Sequence, residues 1–145
     1  MEARVSDVLR RKGDQVVTVT MEQSIAAVIQ LLTKNRIGAA PVVNAQGGVV
    51  GIISERDVIR GMATHAHALL ALPVEQLMTR EVKTCVREDR LVDLAQVMTL
   101  QRIRHLPVVE DGALCGIVSI GDVVKQRLEE VQSEVEDLQR YIRSP

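Results

Sequence analysis

The feature that most constrains the fold is an internal repeat. The segment TVTMEQSIAAVIQLLTKNRIGAAPVV aligns with TCVREDRLVDLAQVMTLQRIRHLPVV at an offset of 66 residues, which places Thr18 over Thr84 and Pro41 over Pro107. The later segments GIISERDVIR and GIVSIGDVVK align at an offset of 65, because the Gly-containing turn before the second is one residue shorter. A unit of about 60 residues buries too little apolar surface to be comfortably stable alone. The two copies are therefore expected to pack together.

Each copy predicts the same order of elements. Segments 15–20 and 81–86 are rich in β-prone residues and predict a first strand in each copy. Apolar residues then follow at the i, i+3, i+4, i+7 spacing of an amphipathic helix. Two short apolar strands joined by a turn, and a second helix, complete the unit. The sequence thus predicts β-α-β-β-α twice, an α/β (α+β) fold class.

Composition argues against two classes of partner. The chain has 145 residues, of which 46% are hydrophobic, with no Phe or Trp and a single Tyr, so it offers little aromatic surface for stacking on bases. A formal net charge of −1 does not give the excess of positive surface charge expected of a protein that binds nucleic acid or an anionic membrane. We therefore expect neither a nucleic-acid nor a membrane partner.

The N-terminus and the cysteines indicate the compartment. The first residues are charged from Glu2 onward, and the most apolar window of the chain is too short to span a bilayer. Cys85 and Cys115 lie in apolar surroundings and are spaced for neither a zinc site nor a redox pair, which favours buried free thiols. The sequence therefore predicts a cytoplasmic protein.

No constellation of residues predicts catalysis. His65 and His67 supply two metal ligands without a third nearby, which does not favour a zinc site. The chain also shows no Ser/His/Asp or Cys/His arrangement that suggests nucleophilic catalysis. We expect no enzyme activity, no catalytic cofactor and no metal.

The doubled pattern identifies a family resemblance. The order of strand, amphipathic helix, I-x-x-x-P-V-V, turn and G-I-h-S-x-x-D, where h is a hydrophobic residue, resembles the cystathionine β-synthase (CBS) domain, and QLMTREV is also typical of its lead-in. The resemblance covers residues 1 to about 128. It implies a CBS pair, or Bateman module, of the kind found in stand-alone bacterial CBS-domain proteins, with pseudo-twofold symmetry. It further implies two clefts that commonly hold AMP, ATP, NAD or S-adenosylmethionine, without catalysis by the module alone.

The Ser-x-x-Asp element has a chemical interpretation of its own. Ser54 ends a predicted strand and Asp57 lies at the start of a predicted helix, so the hydroxyl and nearby N–H groups form an anion site at the helix N-terminus. The Asp57 carboxylate can accept two hydrogen bonds, which the vicinal hydroxyls of a ribose offer. Ser119 and Asp122 repeat the pair. The alternative is that these residues only cap their helices.

The resemblance implies that each cleft combines the Ser-x-x-Asp of one repeat with the first strand and the segment before the proline of the other. The base is expected to lie against aliphatic side chains. Site A is predicted to comprise Ser54, Arg56, Asp57, Thr84, Ile103, Arg104, His105 and Pro107. Site B is predicted to comprise Lys12, Thr18, Ile37, Gly38, Ala39, Pro41, Ser119 and Asp122.

The two predicted sites differ in charge. Arg56 and Arg104 give site A two guanidinium groups for a phosphate, with His105 as a third candidate, whereas small uncharged residues hold the matching positions of site B. Lys12 could supply the missing cation, although three extra residues in its segment leave the alignment open. The alternative for the two arginines is that they are solvated surface charges. AMP is the favoured ligand, with NAD(H) next.

The C-terminal segment predicts a further interface. Its apolar residues alternate spacings of four and three, a heptad pattern that predicts a helix running well past the second repeat. The residues that follow this spacing are Val124, Leu128, Val131, Val135, Leu138 and Ile142. Such a stripe needs a covering surface, so we expect a homodimer, or a helix folded back on its own subunit. The predicted units are a first repeat at 1–65, a second at 66–128 and the C-terminal helix at 129–145.

The predicted function is a regulatory sensor. The module would bind an adenosine-containing nucleotide between its repeats and transmit occupancy to a dimer or partner surface. Two alternatives remain: a structural dimerisation or interaction module without physiological nucleotide binding, and the regulatory subunit of a separate enzyme or transporter. The sequence does not name such a protein target.

Overall fold

The computed structural model of the protein describes residues 2–144, which form five α-helices, two short 3-10 helices and two two-stranded sheets. The α-helices are α1 (Val5–Lys12), α2 (Ile25–Asn35), α3 (Glu55–His65), α4 (Leu91–Gln101) and α5 (Ile120–Arg143). The strands are β1 (Ala39–Val43), β2 (Val49–Ser54), β3 (His105–Glu110) and β4 (Ala113–Ser119). The 3-10 helices are Ala66–Ala71 and Val74–Gln76. In the described range, no helix has both the length and the apolar character required to cross a membrane.

The two hairpins have equivalent registers. In the first, β1 and β2 are antiparallel with Ala39 opposite Ser54, and in the second β3 and β4 pair with His105 opposite Ser119. Each hairpin thus brings the serine that begins the following helix beside the first residue of its own first strand. The predicted mixed α and β fold with two related repeats is confirmed.

The predicted first strands at 15–20 and 81–86 are wrong. Each segment contributes a single residue to a parallel bridge, Val19 to Val42 and Cys85 to Val108. Two backbone hydrogen bonds hold each of these residues to its hairpin, at 2.9–3.0 Å. The other positions of both segments form no strand, because β propensity favours an extended backbone but does not supply a partner strand along its whole length.

The hydrophobic core consists of two clusters: the first core cluster is built around α2 and the β1–β2 hairpin, and the second core cluster around α4, α5 and the β3–β4 hairpin. The segments that precede the two repeats are exchanged between these clusters. Helix α1 does not pack on the first repeat that follows it, since its buried residues join the cluster built from α4, α5 and the β3–β4 hairpin. Conversely, Leu69, Val74 and Met78 of the 66–79 segment pack with α2 and the β1–β2 hairpin. Each core is therefore completed by the segment that precedes the other repeat. The division at 65 and 128 stays a prediction, and its end positions 1 and 145 lie outside the described residues.

Helix α5 is longer than a repeat requires, as the heptad pattern predicts. It runs unbroken for 24 residues from Ile120 to Arg143. Only its start is buried, at Val123, whereas the heptad residues beyond it are about half exposed or more. The second half of α5 therefore presents an apolar stripe that its own chain leaves uncovered.

Candidate functional site

The start of α3 supplies the acidic group of the candidate site. Ser54 and Asp57 form a reciprocal cap: the Ser54 N–H donates to Asp57 Oδ2 at 2.9 Å, and the Ser54 hydroxyl lies 3.0 Å from the same oxygen. In return, the Asp57 N–H is 3.4 Å from Ser54 Oγ. The capping role considered from the sequence is therefore present, and it engages mainly one carboxylate oxygen.

The second oxygen of Asp57 remains available. Its closest hydrogen-bond donor is the Thr79 hydroxyl at 3.4 Å, which is a long contact. The residue is only 8% exposed and is the one charged side chain among residues 2–144 that is classed as buried. Within that range no cationic nitrogen lies within 4 Å of it. A buried carboxylate of this kind favours a hydrogen-bond donor from a ligand.

Asp57 faces a cavity of about 820 Å³ between the repeats. Its wall brings together six of the eight residues predicted for site A: Ser54, Arg56, Asp57, Ile103, Arg104 and His105. Gly38 and Ala39, predicted for site B, also line this cavity, because the register of the first hairpin places them beside Ser54. The two other residues predicted for site A are not in its lining. Thr84 is exposed, while Pro107 is buried with its carbonyl accepting the Cys85 N–H.

Positive charge dominates the polar wall of the cavity. Its cations are Arg56, Arg60, Lys83, Arg102 and Arg104, and its carboxylates are Glu55, Asp57 and Glu81. None of the five cations takes part in an ion pair within the described part of the chain. Guanidinium groups without carboxylate partners are suited to bidentate contacts with a phosphate. The cavity therefore combines groups suited to an anion with a carboxylate suited to hydroxyls.

Sequence reasoning missed part of this wall. Arg60 lies one helical turn after Arg56, so helical spacing could have indicated it. Thr79, Glu81 and Lys83 belong to the lead-in segment QLMTREV and its extension, which carried the resemblance but received no role. The backbone of Thr79 pairs with Ile52 through two hydrogen bonds of 2.9 Å, which fixes this segment beside β2.

His105 lies at the boundary between the two predicted sites. Burial lowers the pKa of its imidazole below 6.5, and the positive charges of Lys12 and Arg104 act in the same direction against the opposing charges of Asp122 and Glu55. At neutral pH the ring is therefore uncharged and adds no positive charge for a phosphate. It offers one hydrogen-bond donor and one acceptor to the cavity.

Two residues predicted for site B, Ser119 and Asp122, lie at the start of α5. Ser119 and Asp122 reproduce the capping box, with the Ser119 N–H donating to Asp122 Oδ2 at 2.9 Å. Lys12 approaches as predicted, but its ammonium group lies 2.8 Å from Asp122 Oδ2 and 2.9 Å from the Ile117 carbonyl. Burial tends to raise the pKa of Asp122, whereas hydrogen bonds from Lys12 and Ser119 outweigh burial and hold that pKa below its usual value.

The remaining residues of predicted site B belong to the first repeat. Thr18 is half-buried in the segment that leads to the Val19 bridge. Ile37 packs against the first core cluster, and Pro41 is buried with its carbonyl accepting the Val19 N–H. Separately, residues 2–144 contain no group of three or more His, Cys, Asp or Glu side chains placed to hold a metal ion.

Known proteins share both the sequence and the fold. The family model described as CBS domain matches residues 5–64 and 74–129. A crystal structure of the CBS-domain containing protein ATU1752 from Agrobacterium tumefaciens is 43% identical with a TM-score of 0.84, over 86% of this chain and 99% of that one. CBSX2 in complex with AMP is 26% identical with a TM-score of 0.73, over 87% and 96%.

A third solved structure carries different adenosine compounds. The CBS domain pair of protein MJ0100, in complex with 5′-methylthioadenosine and S-adenosyl-L-methionine, is 26% identical with a TM-score of 0.76, over 90% of this chain and 99% of that one. Two family matches in tandem, the paired hairpins and the cleft between them agree with the resemblance drawn from the sequence. The chain therefore belongs to the CBS domain family, as a protein with two CBS domains in tandem.

Proposed function

We propose that this chain is a non-catalytic regulatory sensor that binds an adenosine-containing nucleotide in the cavity beside Asp57 and transmits occupancy through a homodimer. The proposal is carried by one cavity wall that holds both a buried carboxylate and several guanidinium groups. Among residues 2–144, the carboxylate has no cationic partner and the guanidinium groups have no carboxylate partner. A nucleotide supplies what both lack, since its ribose donates hydroxyl hydrogens and its phosphate accepts from guanidinium groups.

The ligand orientation follows from these groups. The ribose hydroxyls donate to Asp57, chiefly to the oxygen that only Thr79 approaches. The phosphate lies toward Arg56 and Arg104, and the base lies against the aliphatic wall that includes Ile103. The second repeat thus contributes the base-binding surface and one phosphate ligand, while the first contributes the ribose ligand. Such a ligand stabilises the association of the two repeats, which is a physical route for a signal.

The ligand class has support from relatives, and the ligand itself is the finer part of the proposal. CBSX2 is described in complex with AMP, and MJ0100 with 5′-methylthioadenosine and S-adenosylmethionine. We favour AMP, because the converging arginines suit a phosphate that the two MJ0100 ligands lack. NAD(H) and ATP follow, since about 820 Å³ lies in the upper part of the range of about 300–1,000 Å³ for small-molecule sites.

The homodimer has its support in exposed apolar side chains. Val131, Val135 and Leu138 of α5 are 50%, 48% and 62% exposed, at the spacing of a helix that packs against another helix. The stripe is self-complementary, because an antiparallel pair of α5 helices aligns Leu128 with Leu138 and Val131 with Val135. A second copy of this chain is therefore the occupant we propose.

The same proposal includes a cytoplasmic location and a protein target. Cys85 and Cys115 are free thiols, which is the usual state in reducing compartments. The target is a protein whose contact with the dimer changes when the nucleotide binds. Co-purification of a partner enzyme or transporter would favour the regulatory-subunit variant of the function.

A thermal-shift panel of AMP, ADP, ATP, NAD, NADH and S-adenosylmethionine tests the proposal. A ligand at 100 times its dissociation constant adds about 2.7 kcal/mol to the free energy of unfolding. We expect AMP to raise the melting temperature at millimolar concentration, and an Asp57→Ala variant to lose that increase. No shift with any compound would favour a structural interaction module instead.

A further inference from the structure

The two repeats present the same acidic group in different states. Asp57 and Asp122 each accept the N–H of the serine three residues earlier, at 2.9 Å in both cases. Asp57 then has only the Thr79 hydroxyl near its second oxygen. Asp122 has the Lys12 ammonium 2.8 Å from Oδ2, the same oxygen that accepts the Ser119 N–H. One carboxylate is thus open to a ligand, and the other already holds a cation of its own chain.

The difference arises in the two leading segments, which pack on their hairpins in similar ways. In the first repeat, Met78 packs over Gly51, and the following Thr79 pairs with the backbone of Ile52. In the second, Leu9 packs over Gly116, and the Lys12 ammonium donates to the carbonyl of Ile117, the counterpart of Ile52. The segment beside the Ser-x-x-Asp element therefore presents a neutral hydroxyl in one cleft and a positive charge in the other.

Lys12 is held in this position by the helix that carries it. Val5, Val8 and Leu9 of α1 are at most 3% exposed, because they form part of the second core cluster. The neighbouring Arg11 pairs with Glu129 of α5 at 2.6 Å. The end of α1 is thus fixed on the second repeat at two points. The Lys12 ammonium group is therefore held in the cleft and does not move freely in solvent.

We infer that Lys12 acts as an internal ligand of the second cleft, in which its ion pair with Asp122 Oδ2 competes with a ribose for this carboxylate, so that each chain binds one nucleotide. The inference rests on the proposed function of the first cleft. It reverses the role expected for Lys12 from the sequence, in which its charge would bind the phosphate of a second nucleotide. A ligand entering this cleft has to displace an ion pair that is only partly exposed.

Calorimetric titration with AMP tests the inference through stoichiometry. The wild-type chain is expected to bind one AMP, and Lys12→Ala to bind a second AMP more weakly. Arg10→Ala is the matched control, since it removes another cation of α1 whose ion pair with Asp7 lies within the same helix, and it should keep one site. Asp57→Ala should lower AMP affinity at least tenfold, while the Asp57→Ala, Lys12→Ala double variant should retain only the new site.

Two outcomes overturn the inference: two AMP molecules bound by the wild-type chain, or a folded Lys12→Ala variant that still binds only one. If Lys12→Ala does not fold, the wild-type stoichiometry decides between one site and two. If the wild-type chain binds no AMP, the choice of AMP as ligand fails, and a nucleotide-free measurement tests the role of Lys12 separately. In that measurement, by carboxyl NMR titration, Asp122 should titrate at higher pH in Lys12→Ala than in Arg10→Ala, and equal titrations contradict the ion pair.

Discussion

Replacing Asp57 by Ala separates the structural role of this carboxylate from its proposed binding role. In the free protein the side chain caps α3 through the Ser54 N–H, and loss of a helix cap costs about 1 kcal/mol of stability. In the proposed complex the same carboxylate accepts hydrogen bonds from a ribose. Hydrogen bonds to a charged group are worth about 1.5–3 kcal/mol, so the variant should bind AMP about 10-fold to 100-fold more weakly.

The matched comparison is Asp122→Ala. It removes an equivalent capping bond at 2.9 Å, so its stability should fall by at least as much as that of Asp57→Ala. It also breaks the partly exposed ion pair with Lys12, for which we expect at most about 1 kcal/mol more. Its AMP affinity should fall much less than that of Asp57→Ala, because the cavity lies beside Asp57.

Urea unfolding and calorimetry measure the two effects on the same samples. The account requires similar losses of unfolding free energy but clearly different losses of AMP affinity. Equal losses of AMP affinity in the two variants would refute the asymmetry between the clefts. An Asp57→Ala protein that is less stable but binds AMP as tightly as wild type would reduce Asp57 to a helix cap.

Three further predictions concern other parts of the chain. Truncation after Arg127 should weaken the dimer measured by light scattering, because it removes most of the exposed α5 stripe, and a full-length protein that is monomeric at tens of micromolar would contradict the dimer. Burial and nearby cations lower the pKa of His105 below 6.5, so protonation of this imidazole should destabilise the folded state as the pH falls through the unfolded-state pKa near 6.5. A titration midpoint of His105 at or above 6.5 by NMR would contradict this. Burial, followed by the charges of Asp89 and Cys115, raises the pKa of the Cys85 thiol to about 12. A thiol reagent at pH 8 should therefore modify half-buried Cys115, measured in the Cys85→Ser variant, well before Cys85, measured in the Cys115→Ser variant. The reverse order of modification would refute this.

The sequence predicted the elements that a local pattern specifies. Helical periodicity identified α2 and α4, the turn residues identified both hairpins, and the heptad spacing identified the length of α5. The strands at 15–20 and 81–86 were wrong because ladder formation depends on a neighbouring strand, which β propensity does not reveal.

The candidate site was predictable where it follows the repeat and less so where it depends on contacts between repeats. The Ser-x-x-Asp element and the segment before Pro107 indicated six lining residues of the cavity. The exchange of α1 and the 66–79 segment could not be read from local patterns, since both segments are apolar enough to pack on either core. The position of Lys12 depends on that exchange, and the extra residues before Thr18 left its alignment with the second repeat open.

A crystal structure of the full chain grown with AMP would show directly whether the nucleotide lies beside Asp57. The account predicts AMP in the cavity between the repeats, with ribose hydroxyls at hydrogen-bond distance from Asp57 and the phosphate beside Arg56 and Arg104. It also predicts that the Lys12 ion pair with Asp122 stays intact. AMP bound away from Asp57, or a cavity that stays empty at saturating AMP, would contradict the account.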